Sequence, residues 1–212
     1  MSRIQKLSMR AQCYEAIKEK IFRQEYELGA ELNIAKLSAE FSVSNTPIRE
    51  ALSQLESDGL IITTMNAKAH VVHFTPESFK HMANTIYVLV KGAYELCVVE
   101  NRIPMLLKLM KKSLELQQKF LAADDGFAFT QELVNFDQII FDVLENPQLL
   151  FLFERISPVL FLMYRTNQKR NSWENTRSIE EHRKIMDAIA EGDHETVGRL
   201  ASEHCGQAYF EE

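Results

Sequence analysis

Apolar residues recur at intervals of three and four through the first 60 residues, and this spacing predicts three short amphipathic helices. The three stripes consist of Tyr14, Ile17 and Ile21; Ile34, Leu37 and Phe41; and Ile48, Ala51, Leu52 and Leu55. The stretch "YELGAELN" between the first two stripes is interpreted as a loop, because Gly29 breaks the pattern. Ser44 or Thr46 is expected to cap the third helix, and Asp58 and Gly59 are expected to end it.

Two β-prone runs, "LIITT" and "HVVHF", follow the third helix and predict a hairpin joined by "MNAKA". After Thr75 and Pro76 the pattern is helical to the end, with five or six helices and almost no strand signal. Its clearest stripes are Leu133, Phe136, Ile140 and Leu144; Ile185, Met186 and Ile189; and Val197, Leu200 and Ala201. The sequence therefore predicts a mainly α protein: a winged helix-turn-helix over residues 1–75, then an all-α helical bundle over residues 76–212.

Charge is distributed unevenly between these two predicted domains. Residues 1–75 carry 9 Lys/Arg and 9 Asp/Glu, so the whole net charge of −6 lies in residues 76–212. The N-terminus has no apolar signal core, and no apolar run is judged long enough to span a bilayer. The 3 cysteines share no metal-type spacing and are interpreted as reduced thiols. We therefore expect a cytoplasmic protein without a membrane partner.

The third helix has a polar face that suits a nucleic acid. Burial of its apolar stripe leaves Thr46, Arg49, Glu50 and Ser53 on the opposite side. Small hydroxyl side chains allow close approach to a duplex, and an arginine can contact a guanine edge or a phosphate. Because Arg49 is the one cation within residues 43–61, an ordinary core helix with a solvated polar face is the alternative.

The stretch "VSNTPIREALSQLESDGLI" resembles the motif "VSRTPVREALRRLEAEGLV" of GntR-family bacterial transcription regulators. The all-helical second half, ending in "EEHRKIMDAIAEGD" and "ASEH", is similar to the FCD ligand-binding domain of the FadR-like branch. The resemblance covers nearly the whole chain. It implies a homodimer that binds a near-palindromic operator and whose DNA affinity responds to a small effector, a carboxylate or another small metabolite.

The resemblance also implies which residues read DNA. Ser44, Thr46 and Arg49 match the family's positions, whereas Asn45 stands where the family usually has arginine, which trades a charge-assisted contact for a possible adenine contact. Ala35 stands where a second-helix arginine is common, and Lys36 and Lys68 can restore phosphate contacts. The expected DNA-binding set is Lys36, Ser44, Asn45, Thr46, Arg49, Ser53 and Lys68. For Lys68, the alternative is a solvated turn residue at the wing tip.

Three polar residues lie on apolar stripes of the second half. His182 shares the face of Ile185 and Ile189, His204 follows the next stripe, and Asp137 lies among Leu133, Phe136, Ile140 and Leu144. The two histidines are each 11 residues from Asp193, the centre of the turn "EGD". In an antiparallel helix pair the two imidazoles are therefore predicted to lie at one level and to point inward. Such burial requires partners: a divalent metal, or plain hydrogen bonding.

The resemblance favours the metal, because many FCD domains bind one through an aspartate and three histidines. Asp137, His182 and His204 match three of these ligands, and Phe141 stands at the fourth, four residues after Asp137. Zinc, nickel or manganese is expected at a three-ligand site completed by water or effector. The expected effector contacts are Tyr87, Phe141, Arg155 and Arg165.

Two other classes of function are alternatives to a DNA-binding regulator: a metal-dependent enzyme and a helical adaptor. A metal-dependent enzyme would need a general base or nucleophile beside the metal, and the sequence contains no "HExxH", glycine-rich phosphate loop or recognisable nucleophile context. We therefore predict no enzyme activity. A helical adaptor without DNA binding is disfavoured by the intact Thr46-Pro47-x-Arg49 core.

Overall fold

The computed structural model describes residues 8–64, 68–170 and 174–207, and the chain forms two compact units, Met1–His73 and Phe74–Glu212. The elements of the first unit are α1 (Met9–Phe22), β1 (Glu31–Leu32), α2 (Ile34–Phe41), α3 (Asn45–Ser57), β2 (Ile61–Thr63) and β3 (Ala69–Val71). Those of the second unit are α4 (Pro76–Val99), α5 (Ile103–Ala122), α6 (Gly126–Leu144), α7 (Pro147–Arg170), α8 (Glu174–Glu191) and α9 (His194–Gln207). The predicted fold class, a winged helix-turn-helix followed by an all-α bundle, is confirmed.

The first unit differs from the sequence prediction at the stretch interpreted as a loop. Within "YELGAELN", Glu31 and Leu32 form the short strand β1, which pairs antiparallel with β3. β3 also pairs antiparallel with β2, so the sheet has the order β1-β3-β2. The loop interpretation was wrong there because a two-residue strand is too short to show a period. The predicted hairpin is present as β2 and β3, and its turn, residues 65–67, lies outside the described residues.

Helix α3 begins and ends close to the predicted positions. Ser44 is its N-cap by backbone geometry, but the Ser44 side chain makes no capping hydrogen bond. The helix ends at Ser57, and Gly59 follows with φ +74°, a conformation that glycine adopts without strain. Tyr14 of α1 donates a hydrogen bond of 2.7 Å to Asp58, which ties α1 to the C-terminal end of α3. The N-terminal end of α3 is left to solvent.

The core of the second unit contains the stripes that the sequence predicted. On α6, all four stripe residues are buried, and Ile185, Ile189, Val197 and Ala201 are buried on α8 and α9. Thr75 and Ser78 form a capping box at the start of α4, and Gly192, with φ +72°, makes the turn between α8 and α9. The turn brings α8 and α9 into an antiparallel pair that packs against α5 and α4 respectively.

Helix α4 departs from the expectation that no segment has the length and hydropathy of a membrane span. Pro76–Val99 passes that test by length and composition alone, with 28% of its most apolar window buried. This is weak evidence for a membrane, because core helices of other proteins pass the same test. Several of its apolar side chains are exposed, including Val88 at 66% and Val99 at 75%.

Candidate functional site

The N-terminal half of α3 presents a row of exposed polar side chains. These are Ser44, Asn45, Thr46, Arg49 and Ser53. They are exposed because the apolar stripe on the other side of the helix packs against α1 and α2. Within the described part of the first unit, the Arg49 guanidinium makes no hydrogen bond or ion pair. It is therefore available for a guanine edge or a phosphate.

Asn45 and Arg49 line one groove together with Glu31 and Lys68. Ser38 Oγ donates a hydrogen bond of 2.7 Å to Asn45 Oδ1, so the Asn45 side chain is held in place and its amide nitrogen is left to donate. Lys68 forms an ion pair of 2.9 Å with Glu31. The sequence did not predict this partner, because only the pairing of β1 with β3 brings Glu31 alongside Lys68. An exposed ion pair of this kind is weak, so a phosphate can replace Glu31.

A second groove lies between α3 and the start of α1. Arg10 is exposed in the first turn of α1, donates a hydrogen bond of 3.3 Å to Gln54 of α3, and lines this groove with Ser44 and Thr46. The sequence analysis missed Arg10, because only the packing of α1 against α3 shows that it lies beside the recognition residues. Lys36 is exposed on α2, and its backbone N–H is used by the Asn33 cap.

In the second unit, His182 and His204 meet face to edge. Their Nε2 atoms lie 3.3 Å apart, and their ring planes make an angle of 62°. The juxtaposition predicted from their equal distance to the "EGD" turn is present. His182 is 2% exposed, and its ring stacks on Phe136 with the ring centres 3.9 Å apart. Burial, and secondarily the charge of His204, hold the pKa of His182 well below its usual range, so His182 is neutral.

The other nitrogen of His182 is held by a glutamine. Gln117 is fully buried on α5, and its Oε1 lies 2.9 Å from His182 Nδ1. Nδ1 therefore carries the proton, and Nε2 of the neutral ring presents a lone pair to His204. Gln117 lies on the same buried face of α5 as Leu106, Met110 and Leu114. A polar residue on an apolar helix face is also the pattern by which the sequence indicated His182. The sequence analysis did not identify Gln117 by this pattern.

The other nitrogen of His204 is held by a carboxylate. His204 Nδ1 donates a hydrogen bond to Glu181, which also pairs with Arg177 at 2.7 Å. Burial opposes ionisation of Glu181, but the hydrogen bonds and charges of His204 and Arg177 outweigh it and lower the pKa of Glu181 to about 2. Glu181 is therefore an anion at neutral pH. The sequence analysis missed Glu181, which adjoins His182 and looks like an ordinary surface residue of α8.

With the proton of each ring on Nδ1, the arrangement favours a positive charge between the two Nε2 atoms. If His204 is neutral with its proton on Nδ1, two lone pairs face each other at 3.3 Å. Either a proton on His204 Nε2 or a bound cation removes this repulsion. A distance of 3.3 Å is long for a direct N–H···N hydrogen bond. Two imidazole ligands of a tetrahedral zinc ion lie about 3.3–3.4 Å apart, given Zn–N distances of about 2.0–2.1 Å.

Asp137 lies beside the histidine pair. Its carboxylate accepts a hydrogen bond of 2.7 Å from Tyr164, and burial raises its pKa to about 6 against the hydrogen bond from Tyr164 and the charge of His204. Asp137, His182 and His204 line one cavity. Within residues 8–64, 68–170 and 174–207, no three His, Cys, Asp or Glu side chains are already arranged as metal ligands. The histidine pair thus has the spacing for a metal, and the Asp137 carboxylate uses Oδ2 for the hydrogen bond from Tyr164.

Two cavities adjoin the histidine pair, and His182, His204 and Cys205 line both of them. We call the first the polar chamber: its volume is about 30 Å³ and its lining includes Gln168 and Asn175. We call the second the apolar chamber: its volume is about 60 Å³. Its lining includes six apolar side chains of α5, α8 and α9: Leu106, Met110, Ile185, Ile189, Val197 and Ala201. The histidines therefore separate a hydrogen-bonding space from an apolar one.

The four side chains expected to contact an effector do not line either chamber. Phe141 is fully buried and stacks on Phe153, so it belongs to the core. Arg155 is exposed on α7, and the Arg165 guanidinium lies against the start of α6 at Gly126. Tyr87 is half-buried beneath Lys91. The side chains that do line the apolar chamber include Lys91 and Tyr94 on α4, which lie one and two turns after Tyr87.

Comparison with known proteins identifies the class. Residues 9–70 match the bacterial regulatory proteins of the gntR family, and residues 93–207 match the FCD domain. The chain is 25% identical over 196 residues (91% of this chain and 86% of the other) to a protein named "Uncharacterized HTH-type transcriptional regulator YdhC" from Bacillus subtilis. It is 27% identical over 171 residues (79% and 70%) to the gluconate operon transcriptional repressor of Bacillus subtilis.

A solved structure supports the same fold. The putative transcriptional regulator GntR from Rhodococcus sp. RHA1 superposes with a TM-score of 0.74 over 96% of both chains, at 17% identity. The chain belongs to the GntR family of bacterial transcriptional regulators and carries an FCD domain. This confirms the resemblance seen in the motifs and is consistent with the FadR-like branch. The matched relatives are transcriptional regulators rather than enzymes.

Proposed function

We propose that this regulator acts in the cytoplasm as a homodimer on a near-palindromic operator, and that a small effector bound in the FCD domain changes its affinity for DNA. The observation that carries the proposal is the exposed row on α3, with Arg49 unpaired within the described part of its unit. A helix of this kind enters the major groove by its N-terminal end. Arg49 contacts a guanine edge or a phosphate, and Asn45 contacts an adenine.

The contacts to the DNA backbone come from both sides of α3. Lys36 and Lys68 reach phosphates on the wing side, and Arg10 reaches a phosphate on the α1 side. The hydroxyl groups of Ser44, Thr46 and Ser53 permit close approach and add short contacts. Since residues 1–75 have no net positive charge, affinity for random DNA is modest and specificity depends on the recognition helix.

We propose a dimer because the contacts of one copy with one half-site of the operator give too low an affinity for specific binding. The surface that supports it lies on the second unit. Helices α4 and α7 pack against each other, and both carry exposed apolar side chains: Val88, Leu96 and Val99 on α4, Phe151 and Leu152 on α7. Their burial against a second copy explains why α4 is apolar enough to pass for a membrane span. Phe151→Glu should shift the protein towards monomer in light scattering and weaken operator binding.

For the effector site, we propose that His182, His204 and Asp137 hold a divalent metal of the zinc, nickel or manganese type. The supporting geometry is the pair of Nε2 atoms 3.3 Å apart, each on a ring whose other nitrogen is already hydrogen-bonded. When bound, the metal would supply a Lewis-acidic position for a carboxylate or hydroxyl oxygen of the effector. Lys91 is the lysine placed to meet a carboxylate in the apolar chamber.

A gel-shift titration on the promoter region of the protein's own gene tests the DNA-binding proposal. Wild-type protein should form a specific complex that survives competitor DNA, with a footprint of two half-sites. Arg23→Ala is a matched control, because Arg23 is an arginine at the far end of α1, paired with Glu19. A protein that binds this promoter and random DNA with equal affinity would contradict the proposal.

A further inference from the structure

The turn between α2 and α3 fixes the direction of one base-reading side chain. The Ser38 backbone carbonyl accepts a hydrogen bond of 3.0 Å from the Val43 N–H, which closes the end of α2. The Ser38 hydroxyl donates a second hydrogen bond, of 2.7 Å, to Oδ1 of Asn45, the first residue of α3. Ser38 is half-buried, whereas Asn45 is exposed. A half-buried residue of one helix therefore holds an exposed amide at the beginning of the recognition helix.

This contact determines what the Asn45 amide can offer to a base. Oδ1 has two lone pairs, of which Ser38 occupies one, and Nδ2 has no partner among the described residues. The amide thus keeps one acceptor and one donor position side by side, in the groove that it lines with Arg49. In the major groove, adenine presents the complementary pair, because its N7 accepts and its N6 donates. Guanine presents two acceptors, N7 and O6, so its O6 would face Oδ1.

We propose that Ser38 is a positioning residue for base recognition: its hydroxyl keeps the Asn45 amide from turning over, so that Asn45 selects adenine over guanine in each half-site. Without the hydroxyl, the amide can rotate about its Cβ–Cγ bond and donate from Nδ2 to guanine O6. Ser38 acts through Asn45 and needs no contact of its own with the base. This inference rests on the proposed function, in which α3 enters the major groove. A residue of α2 then helps to set the operator sequence.

Duplexes that differ at single adenines test this role. The probe is the promoter region of the protein's own gene, and each adenine within the footprint is replaced in turn by guanine, at the matching positions of both half-sites. Fluorescence anisotropy measures the affinity of the full-length protein for each duplex. At one position, wild type should bind the adenine duplex about 10-fold or more tightly than the guanine duplex, as expected for one bidentate contact. At that position 7-deazaadenine, which lacks the N7 acceptor, should also weaken binding.

Three variants of the pair separate positioning from a structural role. Ser38→Ala should bring the adenine-to-guanine ratio close to one at this position and leave the preferences at the other positions unchanged. Ser38→Thr keeps a hydroxyl and should keep the ratio, whereas Asn45→Ala should lose both the ratio and the sensitivity to 7-deazaadenine. Alanine favours a helix, so α2 is retained in Ser38→Ala, and circular dichroism checks the fold. Ser157→Ala is the control, because it removes a hydroxyl from α7 in the second unit.

Three results would overturn the proposal. An adenine preference that Ser38→Ala retains at every position would show that the hydroxyl does not position Asn45. Equal weakening of all duplexes by Ser38→Ala would reduce the contact to a structural one. Base preferences that are unchanged in Asn45→Ala would show that Asn45 does not read a base, and they would leave the proposed regulator intact. A wild type that binds the promoter and random DNA with equal affinity rejects the proposed function, and this inference with it.

Discussion

His182 and His204 place their Nε2 atoms 3.3 Å apart, while Gln117 and Glu181 occupy the two Nδ1 atoms. We therefore expect wild-type protein, purified without chelator, to contain close to one equivalent of a divalent metal by elemental analysis. His182→Ala and His204→Ala should each lose it, because either change removes one of the paired nitrogens. Thermal melts of both variants show whether the fold is retained. Metal-free wild type, with both variants folded and effector-responsive, would reduce the cluster to hydrogen bonding within the core.

Gln117 should tune that site without touching the metal. Gln117→Leu removes the acceptor that fixes the proton on His182 Nδ1, and loss of such a partner typically weakens metal binding about 10- to 100-fold. Gln117→Glu keeps an acceptor at the same position and should restore most of the affinity. Competition with a chromophoric chelator measures the dissociation constants. Gln118→Leu, an exposed neighbour on the same helix, serves as the control. Equal weakening by Leu and Glu would rule out a positioning role for Gln117.

How far the sequence could predict this site depended on the kind of contact. The histidine pair was predictable, because equal spacing from one turn fixes the level of two side chains on an antiparallel helix pair. The partners of the pair were not found: Gln117 comes from α5, 65 residues before His182, and no local pattern reports that packing. Glu31 and Arg10 were missed for the same reason, since β1 is two residues long and the contact of α1 with α3 is tertiary.

The family resemblance located the DNA-reading residues of α3 better than it located the effector contacts of the second unit. The recognition helix carries its motif within 19 consecutive residues, 43–61, and its exposed row lies where the motif implied. The expected effector contacts were carried over from separate helices. On α4, Lys91 lines the apolar chamber, whereas Tyr87, one turn earlier on the same helix, does not.

Arg49→Ala should remove specific DNA binding and leave the fold intact, because the side chain is exposed. One arginine contact to a base edge is worth about 1–3 kcal/mol, and the loss applies to each half-site of a dimer. Fluorescence anisotropy with operator and scrambled duplexes measures both affinities, and circular dichroism checks the fold. Undiminished operator affinity in Arg49→Ala would mean that α3 is not the recognition helix.

Substituting the two partners of the ion pair between Lys68 and Glu31 should change DNA affinity in opposite directions. Lys68→Ala should weaken binding about equally for all sequences and lower the salt slope by about one unit, as for a lost phosphate contact. Glu31→Gln should strengthen binding across sequences, because it removes the anion that lies 2.9 Å from Lys68 Nζ. Binding is measured against salt concentration on two unrelated duplexes. A changed base preference in Lys68→Ala, at constant salt slope, would place Lys68 at a base edge instead.

Phe141 provides a test that separates the core from the effector site. It is fully buried, and its ring lies 4.9 Å from that of Phe153. Phe141→Ala should lower the free energy of unfolding by about 3–5 kcal/mol, because it leaves a cavity that the helices cannot close, and Phe141→Leu should cost less. Urea denaturation followed by circular dichroism gives both values. Effector affinity and metal content should stay at wild-type levels in Phe141→Leu, whose fold is retained. If Phe141→Leu instead changes effector affinity at unchanged stability, Phe141 lines the effector site and the assignment to the core fails.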